Sequence, residues 1–248
     1  MGGFGGEDLV QQFFVDRIEH VTDVVGDEVK HMHVLRLKVG DEVLLSDGTR
    51  LAKCLLTDLQ KTRAQFELIA EVPSTEPPYE ITLFQGLPKG DKLDLIVQKA
   101  VELGAAKIVP VQTSRTVVKW DEHKARSKVE RLNKIALEAA KQSHRVVRPA
   151  VEELCSWQVF LDKWQEHGGL KLVFWEESTG DLRDAFSETP EKVAILIGPE
   201  GGLSPEEIKE LNAPTYTLGP RILRTETAPI AALACLMFGL EMKGENRT

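Results

Sequence analysis

The stretch from Lys192 to Lys243 constrains this chain more than any other. It opens with Lys192-Val193-Ala194-Ile195-Leu196-Ile197, a short apolar run of the kind that forms a buried strand. Gly198-Pro199-Glu200-Gly201-Gly202 follows directly, and then Ser204-Pro205-Glu206-Glu207. Ser204 with Glu207 three residues later makes a capping box, and Pro205 suits the first helical position. A second short strand, Thr215-Tyr216-Thr217-Leu218, runs into Gly219-Pro220-Arg221-Ile222-Leu223-Arg224-Thr225-Glu226-Thr227. An apolar helix is expected from Ala228 to Lys243. The pattern is strand, glycine loop, helix, and then the same again.

Glycine loops at strand ends are where an open α/β sheet binds a ligand. Glycine lets the backbone approach the ligand closely, and free N–H groups supply polar contacts. Taken singly, each loop could equally be a tight turn. Better-known nucleotide motifs do not match. Gly86-Leu87-Pro88-Lys89-Gly90-Asp91-Lys92 lacks the Gly-Lys-Ser/Thr ending of a phosphate-binding P-loop. No Gly-x-Gly-x-x-Gly follows the first strand of the α/β region, which weakens a dinucleotide fold and the Rossmann type of methyltransferase.

The wording of the two loops is more specific than their pattern. Ile-Gly-Pro-Glu-Gly-Gly-Leu-Ser (197–204) and Leu-Gly-Pro-Arg-Ile-Leu-Arg-Thr-Glu-Thr-Ala (218–228) resemble the signature of a bacterial RNA methyltransferase family. Its members methylate N3 of a uridine in 16S ribosomal RNA and belong to the SPOUT superfamily. The resemblance extends over most of the chain. It implies an α/β fold: a C-terminal parallel-sheet SPOUT domain with a deep trefoil knot, preceded by a small PUA-like β-barrel domain. It also implies a homodimer, with the helix from Ala228 to Met242 as the expected interface element, although that helix could equally be intramolecular core.

Carried over residue by residue, the resemblance places S-adenosylmethionine among three loops. These supply Trp175 and Glu176; Gly198, Glu200, Gly201 and Gly202; and Leu218, Gly219, Arg221, Ile222, Leu223 and Arg224. Methyl transfer to uridine N3 also requires loss of the N3 proton. Glu226 is the candidate base or hydrogen-bond acceptor, kept ionised by Arg221, Arg224 and the adjoining helix N-terminus; the alternative is that it only caps the last helix. Arg224 is a second catalytic candidate, for stabilising the uridine anion or gripping phosphate. Two other functions stay open: a knotted methyltransferase acting on ribose 2′-OH or on transfer RNA, and an RNA-binding protein without a cofactor.

A net charge of −8 argues, on its face, against a nucleic-acid partner, but distribution counts for more than the total. Between Arg115 and Arg148, ten Lys/Arg against four Asp/Glu leave that stretch at +6 and the rest of the chain at −14. This is a surface for phosphate or simply a solvated helix face. Arg36, Lys89, Arg115 and Arg145 are the candidate contacts to 16S ribosomal RNA or the small ribosomal subunit.

Cys54, Cys155 and Cys235 are odd in number, far apart and outside any Cys-x-x-Cys pair. Their usage points to a reducing, cytoplasmic compartment without a zinc site. His31 and His33 lack a third ligand nearby, and no metal is expected. No apolar run approaches the ~20 residues that span a bilayer. No signal-peptide core opens the chain, and Met1–Gly6 are expected to be a flexible leader.

Residues 7–72 have β character. Gln12-Phe13-Phe14-Val15 begins a strand, a short helix is expected over Asp27 to Leu35, and Asp47-Gly48 joins two apolar strands as a hairpin. Arg63 to Val72 alternates as another strand. The resemblance extends here to Val34-Leu35-Arg36-Leu37-Lys38-Val39-Gly40-Asp41, with two departures. Family members often carry Arg before the paired aromatics and a His six residues before that Arg36; this chain has Gln11-Gln12 and Lys30. Prolines in 73–79 mark a linker. From residue 80 to 248, strands alternate with helices, including a basic helix over 121–143, and this implies a largely parallel sheet. Trp157 and Trp164, in a helix over 156–167, read as core.

Overall fold

The computed structural model describes residues 10–186 and 190–245; the Met1–Gly6 leader lies outside them. The chain divides into two compact units. One comprises residues up to Glu76 together with Ala140–Arg148, and the other comprises Pro77–Ala139 and Pro149 onward. The boundary is therefore not linear. A reading along the sequence assigns 140–148 to the second domain, whereas these nine residues pack with the first.

The first unit contains β1 (Gln12–Phe14), β2 (Val21–Val25), α1 (Asp27–Val34), β3 (Glu42–Ser46), β4 (Leu51–Leu59) and β5 (Arg63–Val72). They form one sheet in the order β1-β3-β4-β5-β2, antiparallel except for the parallel β1–β3 pair. β2 alternates exposed and buried residues, as a sheet with one wet face requires. Phe13, Val29, Met32, Leu45, Leu56 and Phe66 fill its core. At the β3–β4 turn, Asp47 Oδ1 accepts from the backbone N–H of Thr49 and Arg50, and Gly48 takes φ +85°. Asx geometry and a positive-φ glycine are what makes Asp-Gly a hairpin turn.

The 140–148 segment is held by a buried ion pair. Arg145 donates from Nε and a terminal guanidinium nitrogen to Glu76, with the shortest contact 2.6 Å, and its side chain is only 4% exposed. Glu76 Oε1 also accepts from the N–H groups of Val146 and Val147 at 2.7 and 2.9 Å. Gln12 Nε2 donates to the Arg145 carbonyl at 2.7 Å, and Ser46 Oγ donates to the Val146 carbonyl at 2.6 Å. The departure at Gln12 thus has a structural use: its amide sits buried on this segment. Arg145 itself is corrected from an RNA contact to a structural residue, because phosphate would have to displace Glu76 to reach it.

The second unit contains β6 (Glu80–Gly86), α2 (Lys92–Glu102), β7 (Ala105–Gln112) and the body of α3 (Glu122–Gln142). β8 (Ala150–Val151), β9 (Cys155–Ser156), α4 (Trp157–Glu166), β10 (Leu170–Phe174) and a single 3₁₀ turn at Leu182–Phe186 follow. β11 (Lys192–Ile197), α5 (Pro205–Leu211), β12 (Thr215–Tyr216) and α6 (Thr227–Glu245) complete it. The sheet runs β12-β10-β11-β6-β7-β8, with β9 also on β7, and every pairing is parallel. In β11, Val193 through Ile197 are all buried, the mark of a parallel strand covered on both faces. Trp164 packs edge-on against Phe84 in the core, while Trp157 donates from Nε1 to Glu210 at 2.6 Å.

Register decides where the loops meet. Phe174 pairs with Ile197 and Tyr216, and Ile197 pairs with Gln85. The carboxyl ends of β6, β10, β11 and β12 therefore lie side by side, and the loops after them open at one edge, where ligands of α/β sheets bind. The apolar helix α6 buries Ala232, Leu233, Leu236 and Leu240 within its own chain, yet Phe238 is 66% exposed.

Candidate active site

The loop after β11 is built to sit close to its neighbours. Ser204 Oγ accepts from Glu207 N–H and Glu207 Oε2 accepts from Ser204 N–H, so the capping box is complete and turns the chain sharply into α5. The same Glu207, buried, accepts from Ser114 N–H at 2.7 Å through its other oxygen. Gly202 lies at φ +69°, and a Cβ there would run into the Glu176 carboxylate. Gly86 leaves no room either: its Cβ would stand 2.5 Å from the Pro199 ring. The glycines are needed for approach as well as for conformation.

Gln85 and Thr225 lock three loops together. Gln85, fully buried, donates from Nε2 to the Gly86 and Gly198 carbonyls and lies 3.3 Å from Thr225 Oγ1. Thr225 Oγ1 donates in turn to the Gly198 carbonyl at 3.0 Å. The segment 218–226 is thereby fastened over the end of β11, and Gly219 makes its turn at φ +100°.

Between these loops lies a cavity of about 720 Å³. Its lining includes Trp175, Glu176, Gly198, Glu200, Gly202, Leu218, Gly219, Arg221, Ile222, Leu223 and Arg224. Of the loop residues expected there, Gly201 stands outside the lining and backs onto Arg115, whose guanidinium donates to its carbonyl at 3.0 Å. Arg115 is exposed, as are Arg36 and Lys89.

The sequence reading missed Lys92. Its ammonium lines the cavity and lies 3.0 Å from Glu200 Oε1 and 3.2 Å from Glu226 Oε2. Glu200 first and then Glu226, as acceptors facing its ammonium, raise its pKa. Glu200 is held below the usual carboxylate range: burial opposes this, but Lys92 and the backbone N–H groups of Glu200 and Lys89 outweigh it. Glu226 is lowered as well, first by its own backbone N–H, against burial, and then by Lys92 and Arg224. Lys92 thus takes the role expected of Arg221. Glu226 lies outside the cavity lining and one ion pair away from it. The only sequence signal for Lys92 is its place at the end of Gly86-Leu87-Pro88-Lys89-Gly90-Asp91-Lys92, the glycine-containing stretch between β6 and α2 that lacks a P-loop ending.

Two family models match. A model of the RNA methyltransferase domain covers residues 75–237, and one of the RNA methyltransferase PUA domain covers 26–69. The chain is 38% identical to the ribosomal RNA small subunit methyltransferase E of Bacillus subtilis, over 94% of this chain and 98% of that one. This chain belongs to the ribosomal RNA small subunit methyltransferase E family. The same-named protein of Mycobacterium tuberculosis is 32% identical over 90% of each chain. The crystal structure of the Neisseria gonorrhoeae member, bound to S-adenosyl methionine, superposes with a TM-score of 0.81 at 31% identity, covering 92% of this chain and 97% of that one.

Membership accounts for both units: an α/β RNA methyltransferase domain on a parallel sheet and a PUA domain before it. Among the described residues no helix is long and apolar enough to cross a membrane, and no cluster of three or more His, Cys, Asp or Glu could hold a metal ion.

Proposed function

We propose that this chain methylates N3 of a uridine in 16S ribosomal RNA of the small ribosomal subunit, with S-adenosylmethionine as methyl donor. It does so in the cytoplasm, as a homodimer of knotted SPOUT domains. The observation that carries the reading is the convergence of the loops after β6, β10, β11 and β12 on one cavity, with glycines where side chains would collide.

The cavity suits that cofactor. Glu176 and Glu200 line it together with Lys92, Arg221 and Arg224, so carboxylates for a positively charged sulfur and cations for a carboxylate are both present. Leu218, Ile222 and Leu223 offer an apolar wall, and Gly219 turns with open space at its Cα. S-adenosylmethionine supplies a methyl group on that cationic sulfur, an electrophile that needs no further activation.

The chain's own residues have two tasks. They hold uridine N3 in line with the methyl, at about 3–3.5 Å, and they take the N3 proton. Glu226 is the proton acceptor: it is ionised across the neutral range and lies just behind the cavity, where a group meeting substrate rather than cofactor belongs. Arg224, exposed and on the lining, offsets negative charge developing on the base;. Arg36, Lys89 and Arg115 contact RNA. The exposed Phe238 on α6 and Ile222, 88% exposed, supply apolar surface for the second copy.

Nucleoside mass spectrometry of 16S RNA from cells lacking this protein tests the reading. Loss of one N3-methyluridine is expected. A missing ribose methyl, or a change confined to transfer RNA, would replace it.

A further inference from the structure

We propose that Lys92 is a positioning residue for methyl transfer: its ammonium ties the Glu226 carboxylate to Glu200 and so holds the proton acceptor against the glycine loop that frames the cavity. This rests on the reading of Glu226 as the acceptor. It adds a residue from the start of α2, the helix after β6, outside either glycine motif.

The geometry leaves Lys92 little other purpose. Among the described residues, its Nζ is the one cation within ion-pair distance of either Glu200 or Glu226. Glu226 follows the irregular loop 218–225, whose fastening is at Thr225 Oγ1, and α6 begins only at Thr227. Besides its own backbone N–H, the Glu226 carboxylate meets no charged group at ion-pair distance other than Lys92 among the described residues. Lys92 comes from the opposite side, at the first residue of α2. Glu200 is itself fixed by the Lys89 N–H at 3.1 Å. The chain of contacts thus runs from the β6 loop to the β11 loop and on to the start of α6.

Charge points the same way. A lone ammonium beside a site for a cationic sulfur would oppose binding. Paired with two carboxylates, the trio carries one net negative charge. The partners are partly exposed, with side chains 33% (Lys92), 27% (Glu200) and 18% (Glu226) accessible, so the pair is worth little for folding. Its value lies in orientation. The charged groups facing Glu226 are Lys92 from α2, Glu200 behind that ammonium, and Arg224 from its own segment.

The test uses the full chain at saturating S-adenosylmethionine and 16S RNA, with single-turnover rates measured across pH for Lys92→Met, Lys92→Gln and Lys92→Arg. A second readout, independent of turnover, follows the Glu226 carboxyl by ¹³C NMR, its signal assigned by loss in Glu226→Gln. With the ammonium gone, the carboxyl's titration and the acid limb of the rate profile should both move up by about one pH unit, the low end for an opposite charge at this range. Lys92→Arg should return both toward wild type. Lys92→Gln decides the matter if Lys92→Met does not fold. A carboxyl titration unmoved in a folded variant overturns the proposal, and so does a moved titration with an unmoved acid limb. If Glu226→Gln keeps the wild-type rate, the acceptor reading has failed instead, and the NMR titration still reports on Lys92's hold.

Discussion

The two units use the same ion-pair chemistry to opposite ends. In the first, Arg145 and Glu76 are closed off, with side chains 4% and 14% exposed, and Glu76 is saturated by backbone N–H groups as well. In the second, Lys92 bridges Glu200 and Glu226 at the edge of a cavity, and a third or so of its side chain remains open to solvent. A buried pair is costly to make and costlier to break, because removing one partner strands a desolvated charge. An open pair contributes little to stability. What it can do is aim a carboxylate and tune its proton affinity. Exposure, more than residue type, separates the structural pair from the one fit for chemistry.

That contrast can be broken most sharply at Glu226. Glu226→Gln keeps the shape but removes the basicity, so methyl transfer at neutral pH should slow by roughly 10²–10⁴-fold. Raising the pH should recover part of the rate, since more uridine is then already deprotonated. Single-turnover rates with melts alongside are the measurement. If the rate is unchanged and the melting temperature falls slightly, Glu226 is a helix cap and the open pair has no catalytic part.

Arg145→Ala tests the closed pair. It leaves the largely enclosed Glu76 carboxylate with the Val146 and Val147 N–H groups but no counter-charge, and unfolding by denaturant should show a loss of about 3–5 kcal/mol. If instead stability holds and RNA affinity drops, Arg145 reaches solvent in solution and the contrast collapses.

Gly202→Val probes the frame around the open pair. Its φ of +69° strains any β-branched residue, and the side chain would displace the Glu176 carboxylate from the cavity wall;. Calorimetric affinity for S-adenosylmethionine should fall at least about tenfold, or ~1.4 kcal/mol. Gly201→Ala should fall short of this, because that position backs onto Arg115 and not the cavity.

Arg115→Ala should give the smallest effect. The salt dependence of RNA binding should flatten by about one ion equivalent, with cofactor affinity kept. An unmoved slope would reduce Arg115 to a clasp on the Gly201 carbonyl.

Local rules made much of this protein legible from its residues. The Ser204–Glu207 capping box and the Asp47-Gly48 hairpin were each readable within four or five residues. So was β11, because a parallel strand covered on both faces must be apolar throughout. Of the loop residues the wording pointed to, all but Gly201 line the cavity, while Lys92 on the same lining carried no such signal. The two-residue strands β8 and β9 carried no apolar run to mark them, whereas β12, equally short, was marked by the strand-like Thr215-Tyr216-Thr217-Leu218 before its glycine loop.

What tertiary structure alone decided concerns partners far apart in the chain. Arg145 has the same composition-level character as Arg115, yet Glu76, 69 residues away, makes it a core residue. The nine residues 140–148 join the first unit by the same contacts. Lys92 acquires meaning only when the register of β6 and β11 sets its loop beside Glu200 and Glu226. Backbone propensity acts over a few residues and so is written locally. The burial and charge pairing of a side chain depend on what the fold brings within a few ångströms of it, and only the folded chain determines that.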